Sequence, residues 1–193
     1  DFVVVTGYAG EKLERHLTKF SRKNGVSVSF VRNDEWEKEN GLSVYKAREH
    51  FGEAFVLLMS DHIFEPGILA RLMARPLAPD ELLLAVDCQV RDHPTADLDD
   101  VTKVLVEDGR IARIGKSIET YNAFDTGIFL CSPAIFRALE ESQRLGDFSL
   151  TGGIRRLIDG RKAGVMDVDG SFWIDVDDEK ALERAESLLI SHG

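Results

Sequence analysis

Phe55-Val56-Leu57-Leu58-Met59-Ser60-Asp61-His62 is the stretch on which the fold turns. Five apolar residues run without interruption and stop at a hydroxyl, a carboxylate and an imidazole. An unbroken apolar run of this length reads as a strand buried on both faces of a parallel sheet. In open α/β sheets, ligands bind beyond the carboxyl ends of the strands. A carboxylate at that point, on the rim of a dry core, is placed to hold a hard cation and, through it, a phosphate. The competing reading is that Asp61 caps a turn, as Asp commonly does at strand ends.

Strands and helices alternate on either side of this run. Upstream, Phe2–Thr6 reads as a buried strand closed by Gly7. A helix follows with Leu13, Leu17 and Phe20 on one face, and Asn24-Gly25 stops it. Residues 26–31 alternate as a second strand. A polar loop spans 32–41, and Ser43 reads as the cap of a helix running to about Phe51. Downstream, Pro66 suits the first turn of a helix with Ile68, Leu69, Leu72 and Met73 inward. Residues 82–86 form a further buried strand. The order βαβαβαβ implies an α/β fold with a doubly wound, mostly parallel, Rossmann-like sheet.

The second half changes character. Val104-Leu105-Val106, Asp108-Gly109 and residues 111–114 carry the signature of a tight antiparallel hairpin. Residues 124–131 form a strand that holds Asp125-Thr126-Gly127. Ser132-Pro133 opens a helix with Ile135, Phe136 and Leu139 on one face, and residues 150–158 form another. Residues 165–168 and 172–174 flank the turn Asp169-Gly170. The last helix runs from about Asp178 to Ile190, with Ala181, Leu182, Ala185, Leu188 and Leu189 as its apolar face.

A length of 193 residues suits one domain with a sizeable core. The net charge of −10 argues against a nucleic-acid backbone or an anionic lipid as the main partner. A small anionic substrate stays compatible, because a bound metal overrides the global field locally. Cys88 and Cys131 lie in apolar, strand-like segments without metal-knuckle spacing. Both read as small core residues of a reducing compartment. No apolar run approaches ~20 residues. Nothing therefore reads as a membrane span or a signal peptide, and the cytoplasm is the expected location.

Trp173-Ile174-Asp175-Val176-Asp177-Asp178 stands immediately before the final helix. Asp177 or Asp178 reads as a helix cap. Asp175 differs, because it follows an aromatic and an apolar residue on a strand. A bare carboxylate there is costly unless something satisfies it. With Asp61 it makes a minimal Mg²⁺ site once phosphates supply the other ligands.

Five segments now stand in order along the chain. They are Asn33-Asp34-x-Trp36 with Asn40-Gly41-x-Ser43, Met59-Ser60-Asp61-His62 with Pro66, Ile114-Gly115-Lys116, Asp125-Thr126-Gly127 with Phe129, and Trp173-x-Asp175-Val176-Asp177. This series resembles the nucleotidyltransferases of the sugar-nucleotide and molybdenum-cofactor type, and among them the CTP:inositol-1-phosphate cytidylyltransferase branch. The resemblance implies that Asp61 and Asp175 hold Mg²⁺ on the α-phosphate of CTP. It implies that the loop Asn40-Gly41-Leu42-Ser43 lies against the pyrimidine, with Ser60 also on the nucleotide side. Lys116, which alone would read as a surface lysine, would contact the acceptor phosphate, with Lys103 as a further candidate. Asp125, Thr126 and Gly127 would face the acceptor polyol. His62 would either orient Asp61 or touch the acceptor.

The implied reaction is attack of a phosphomonoester oxygen of L-myo-inositol 1-phosphate on the α-phosphorus of CTP. It gives CDP-inositol and pyrophosphate, with catalysis by positioning and charge neutralisation. No nucleic acid is implied. A homodimer and a fusion to a membrane-bound CDP-alcohol phosphotransferase are both compatible with the resemblance. Rival readings are a nucleotidyltransferase for a sugar 1-phosphate or phosphocholine, a glycosyltransferase of related topology, and a non-catalytic nucleotide-sensing domain. The glycosyltransferase signature carries a second acidic residue two positions after the first, where this chain has Ile63.

The family pattern opens with a strand and the loop Leu-Ala-Ala-Gly-x-Gly-x-Arg, whose backbone N–H groups and cations wrap the triphosphate. Asp1 matches the start of the second strand of that pattern. The resemblance therefore implies roughly a few tens of further residues ahead of Asp1. Residues 1–193 alone are expected to form a single nucleotidyltransferase domain that folds poorly and lacks cytidylyltransferase activity.

Overall fold

The computed structural model describes residues 1–91 and 100–192. In chain order the elements are β1 (Phe2–Thr6), α1 (Gly10–Asn24), β2 (Val28–Arg32), α2 (Asn40–Lys46), a 3₁₀ turn (Arg48–His50), β3 (Phe55–Leu58), β4 (His62–Phe64), α3 (Pro66–Met73), β5 (Leu82–Asp87), β6 (Lys103–Glu107), β7 (Arg110–Gly115), β8 (Ala123–Cys131), α4 (Ala134–Arg144), α5 (Leu150–Asp159), β9 (Ala163–Asp167), β10 (Trp173–Asp175) and α6 (Glu179–His192). They divide into two compact units, Asp1–Glu53 with Pro133–Leu157, and Ala54–Ser132 with Ile158–Gly193.

In the first unit, β1 and β2 pair in parallel from Phe2↔Val28 to Thr6↔Arg32. Helix α1 stops at Gly25, whose φ of 67° is the left-handed cap expected of Asn-Gly. Leu42, Val44, Ile135, Phe136, Leu139 and Ile154 are buried. The expected apolar face of α1 is not: Leu13 and Phe20 are 43% and 50% exposed, and Phe2 of the supposedly buried β1 is 56% exposed. A 3.6-residue period shows which side chains share a face. It does not show how far another element covers that face: α1 packs on β1 and β2 with Leu17 half-buried, and Leu13 and Phe20 are left to solvent.

The second unit holds a six-stranded sheet in the order β3-β8-β5-β9-β7-β6, with β6 also pairing β8. Only β5 and β9 pair in parallel there; β8 runs antiparallel to β3, β5 and β6, and β7 to β6 and β9. Four strands thus share one direction, but β8 and β7 interleave with them against it. The α/β class holds, and the neighbour-to-neighbour parallel pairing expected of the sheet does not. The strand Phe55–Leu58 is also only half-buried. It is the outer strand of its sheet, and an unbroken apolar run does not distinguish an outer strand from a central one. By contrast β5 is buried, with Leu82, Leu84, Ala85 and Val86 at 0% exposure.

Smaller differences have the same origin. Ile68 and Leu72 of α3 are buried while Met73 is exposed, and on α6 Ala185 is buried while Leu182 and Leu189 face solvent. Cys131 is buried, but Cys88, one residue past β5, is exposed. The hairpin is as expected, with Asp108 and Gly109 at φ 50° and 72° between β6 and β7. No helix of the described residues is long and apolar enough to cross a membrane.

Candidate active site

Strands β4 and β10 bring the site together. They pair antiparallel with Asp175 opposite His62, Ile174 opposite Ile63 and Trp173 opposite Phe64. The ladder runs on through a bond from the Val176 N–H to the Asp61 carbonyl, 2.9 Å. Asp61 and Asp175 therefore sit at one end of the ladder. Between them His62 Nδ1 lies 2.9 Å from Asp61 Oδ1 and 3.9 Å from Asp175 Oδ1. β10 matches the strand expected after the Asp169-Gly170 turn, while the three-residue β4 is not expected from the sequence.

Asp175 Oδ1 is buried and has no hydrogen-bond partner among the described residues. A carboxylate oxygen in that state carries a desolvation cost that no hydrogen bond offsets, with only the charge of His62, 3.9 Å away, opposing it. Burial, then Asp177, Asp61 and Asp100, push the Asp175 carboxyl above its ordinary range against the opposing charge of His62. Burial and the charges of Asp61 and Asp100 likewise raise Asp177. Asp61 is held below the carboxylate range by its bond to His62. Burial works to depress His62, but the bond to Asp61 and the charges of Asp175, Asp61 and Asp125 hold it above its ordinary value. Ligand atoms of Asp61, His62 and Asp175 lie within 4.8 Å of one another, as do those of Asp100, Asp175 and Asp177. Crowded, partly dry carboxylate oxygens suit a hard divalent cation, and the orphaned Asp175 oxygen is the atom such an ion would satisfy. The residues present fit Mg²⁺.

Asp125-Thr126-Gly127 forms a bulge in β8, where the register against β5 shifts between Leu84 and Val86. Asp125 Oδ1 accepts from the Gly127 N–H at 2.8 Å. Gly127 has φ 72°, and a Cβ there would lie 2.8 Å from the His62 ring. The Thr126 hydroxyl is not available to an acceptor. It is fully buried and donates to the Ala85 carbonyl at 2.7 Å, because the pleat turns this residue into the sheet. Lys116 is ion-paired with Asp100. Lys103 Nζ donates to the Lys116 carbonyl at 3.1 Å and lies over the Tyr121 ring. Ser60 is exposed in the turn between β3 and β4.

Burial pushes the Asp125 carboxyl up to about 6, partly offset by the Gly127 N–H and His62. A folded-state value above the unfolded one means the folded chain holds the proton more tightly. Stability from this group is then complete below about pH 4 and declines as pH rises towards 6. Asp125→Asn keeps the acceptor for Gly127 and removes the charge. In metal-free buffer it is expected to raise Tm at pH 7.5 and leave Tm at pH 4 unchanged. An equal shift at both values would remove burial of charge as the cause.

Asn40, Gly41 and Ser43 belong to the first unit, and they form no loop. They open α2, whose first residue is Asn40, so Ser43 lies inside the helix and caps nothing. Asn40 Oδ1 accepts from the Leu150 N–H at 3.0 Å. Ser43 Oγ accepts from Asn33 Nδ2 at 3.0 Å. Gly41 is pressed onto the chain at Ser149, where a Cβ would stand 2.5 Å from the carbonyl. Its lack of a side chain serves close packing of a helix on backbone.

One buried acid escaped the sequence reading. Asp87 is 2% exposed, and its Oδ2 accepts from Trp173 Nε1 at 2.8 Å while Oδ1 accepts from the Gln89 N–H at 2.8 Å. The signal was present, since residues 82–87 repeat the pattern of an apolar run ending in Asp that drew attention to Asp61. Asp178 does cap α6, accepting from the Ala181 N–H at 2.7 Å.

No family model matches the chain. It is 32% identical over 192 residues to the bifunctional IPC transferase and DIPP synthase of Thermococcus kodakarensis, covering 98% of this chain and 40% of the relative. It is 32% identical over 191 residues to the protein of the same name from Aquifex aeolicus, covering 98% and 41%. The chain thus spans about two fifths of the length of the curated relatives it matches. Among solved structures it matches the inositol-1-phosphate CTP transferase from T. maritima with a TM-score of 0.83 and 27% identity, over 98% of this chain and 75% of that one. A UDP-glucose pyrophosphorylase complexed with UDP-glucose matches with a TM-score of 0.77 at 14% identity, over 100% of this chain and 82% of that one.

Proposed function

We propose, from the premise that this chain is a homologue of the bifunctional IPC transferases and has the nucleotidyltransferase fold, that it transfers a cytidylyl group from CTP to L-myo-inositol 1-phosphate. The observation that carries this reading is the convergence of Asp61 and Asp175 on one point, with the Asp175 oxygen there buried and unpartnered. These two residues would hold Mg²⁺, which supplies charge neutralisation on the α-phosphate. His62 holds the Asp61 carboxylate by a hydrogen bond. Lys116 would exchange its ion pair with Asp100 for the acceptor phosphate. Lys103 would steady that lysine through the Lys116 carbonyl. Asp125 and the Gly127 backbone would face the polyol. The proposal keeps Asn40, Gly41, Ser43 and Ser60 on the nucleotide side, with Asn40 and Ser43 acting from within a helix. It also takes residues 1–193 as one nucleotidyltransferase domain of a cytoplasmic protein, compatible with a homodimer and with fusion to a membrane-bound CDP-alcohol phosphotransferase.

The test is pyrophosphate release by the full-length protein from CTP and Mg²⁺ with a panel of phosphorylated polyols, sugar 1-phosphates and phosphocholine. Release with inositol 1-phosphate well above the others is expected. Release with another acceptor alone would replace the substrate, and release with none would overturn the assignment. A second result is expected of Lys116→Ala. One charge-assisted phosphate contact is worth about 1.5–3 kcal/mol, so the acceptor KM should rise roughly ten- to a hundredfold. A shift in the CTP constant instead would place Lys116 on the nucleotide.

A further inference from the structure

We propose that Trp173, backed by Asp87, is a positioning residue: it fixes the His62 ring and, through that ring, the Asp61 carboxylate at the candidate cation site. The inference rests on the function proposed above and deepens it. It assigns His62 to orienting Asp61 and not to the acceptor or to direct ligation.

The register of two short strands sets these side chains beside one another. Asp175 and Trp173 are two apart on β10 and so share a face. Asp175 lies directly opposite His62, which makes Trp173 its diagonal neighbour, within reach of an aromatic side chain. The two rings lie nearly parallel, 8° apart with centroids 6.3 Å apart. On another side stands Gly127, so close that a Cβ there would meet His62 Cδ2 and Nε2 at 2.8 Å. The imidazole is held between an indole and a glycine backbone, and its side chain is only 12% exposed. In that position Nδ1 meets Asp61 Oδ1 at 2.9 Å. An ionised carboxylate only accepts, so Nδ1 carries the proton and donates. Nδ1, donating to Asp61, is not free to ligate a cation, and Nε2, the other nitrogen, lies against the Gly127 backbone, where a Cβ would stand 2.8 Å from it.

The indole needs its own anchor, because a ring could otherwise slide along the sheet. Asp87 supplies it. Trp173 is 3% exposed and Asp87 2% exposed, and the Nε1–Oδ2 bond of 2.8 Å ties the buried indole to the carboxyl end of β5. A buried indole N–H needs an acceptor, and an ionised one gives the stronger bond. The second oxygen of Asp87 is engaged by the Gln89 N–H, so the acceptor itself is oriented. The series Asp87–Trp173–His62–Asp61 therefore runs from the sheet core to the candidate cation site through successive contacts within the second unit. Removing residues that orient metal ligands typically costs ten- to a hundredfold in metal affinity or activity.

The test uses the full protein, Mn²⁺ as the probe, binding by calorimetry, and kcat and KM with CTP and inositol 1-phosphate. Trp173→Leu is expected to weaken Mn²⁺ binding ten- to a hundredfold and to lower kcat with the acceptor KM unchanged. Trp173→Phe, which keeps a ring against His62, is expected to stay within about threefold of the parent. His62→Phe keeps the ring contact and loses Nδ1, so it should weaken Mn²⁺ as Trp173→Leu does and is readable even if the leucine variant does not fold. In the His62→Phe background, Trp173→Leu should then add nothing to the loss of Mn²⁺ affinity. Undiminished Mn²⁺ binding in His62→Phe, equal losses in Trp173→Phe and Trp173→Leu, additive losses in the double variant, or no Mn²⁺ binding by the parent would each overturn the proposal. Pyrophosphate release failing in the parent while this Mn²⁺ series holds would overturn the substrate assignment alone.

Discussion

Asp61→Asn and Asp175→Asn are each expected to lower pyrophosphate release by about a thousandfold or more, with the fold intact. The substitutions keep volume and hydrogen-bonding shape and remove one charge. The effect of Asp175→Asn on stability should be the reverse of its effect on turnover, whereas Asp61→Asn gives up the charged bond to His62 that favours the ionised carboxylate. Asp175 is pushed up by burial and by Asp177, Asp61 and Asp100, so its charge is a burden in metal-free protein. A raised folded-state value means stability declines as pH rises past the ordinary carboxylate range. Asp175→Asn should therefore melt no lower than the parent at neutral pH in chelator, and higher if the unpartnered oxygen dominates. Mg²⁺ should raise the Tm of the parent, because it binds only the folded state, and should leave both variants unmoved. Near-normal release by either variant would remove that carboxylate from the site.

Gly41→Val should destabilise the protein far more than the substitutions at Asp61, Asp175 or Lys116. A Cβ at this position would stand 2.5 Å from the carbonyl carbon and oxygen of Ser149 and 2.6 Å from the Phe148 oxygen. Those atoms belong to backbone and cannot swing aside. The same contact is fastened by bonds from Leu42 N–H to the Phe148 carbonyl at 3.1 Å, from Phe148 N–H to Glu39 Oε2 at 3.1 Å and from Leu150 N–H to Asn40 Oδ1 at 3.0 Å. Overpacking costs about 1–3 kcal/mol, and each hydrogen bond pulled apart adds about 1 kcal/mol. At ~2–4 °C per kcal/mol for a chain of this size, a fall in Tm of roughly 10 °C or more is expected. Gly41→Ala should do nearly as much, since the clash begins at Cβ. A loop lying against the pyrimidine, as the resemblance implies, would lead to a different outcome, lost CTP affinity with little loss of stability. Thermal melts and CTP calorimetry on one sample decide between them, and an unchanged Tm with weakened CTP binding would restore the loop reading.

How much was legible in the chain follows from the range of the forces involved. The glycine stop of α1, the Asp108-Gly109 turn, the Pro66 start of α3, the cap at Asp178 and the apolar face of α4 were readable because each depends on neighbours a few residues away. The α/β class followed from the alternation of such elements. Asp61 and Asp175 were readable as costly carboxylates at the ends of apolar runs, since burial of charge is penalised wherever the strand goes. Other features were settled only by which distant segments met. Among them are the antiparallel insertion of β8, the outer position of β3 and the pairing of His62 with Asp175. The burial of Thr126, the anchoring of Trp173 by Asp87 and the seating of Gly41 on Ser149 belong with them. The sequence by itself determined most of the helices and longer strands and the two carboxylates that are costly to bury. The tertiary structure decided strand neighbours, covered faces and shared sites, because pairing and packing join residues up to a hundred or more positions apart that no local pattern connects.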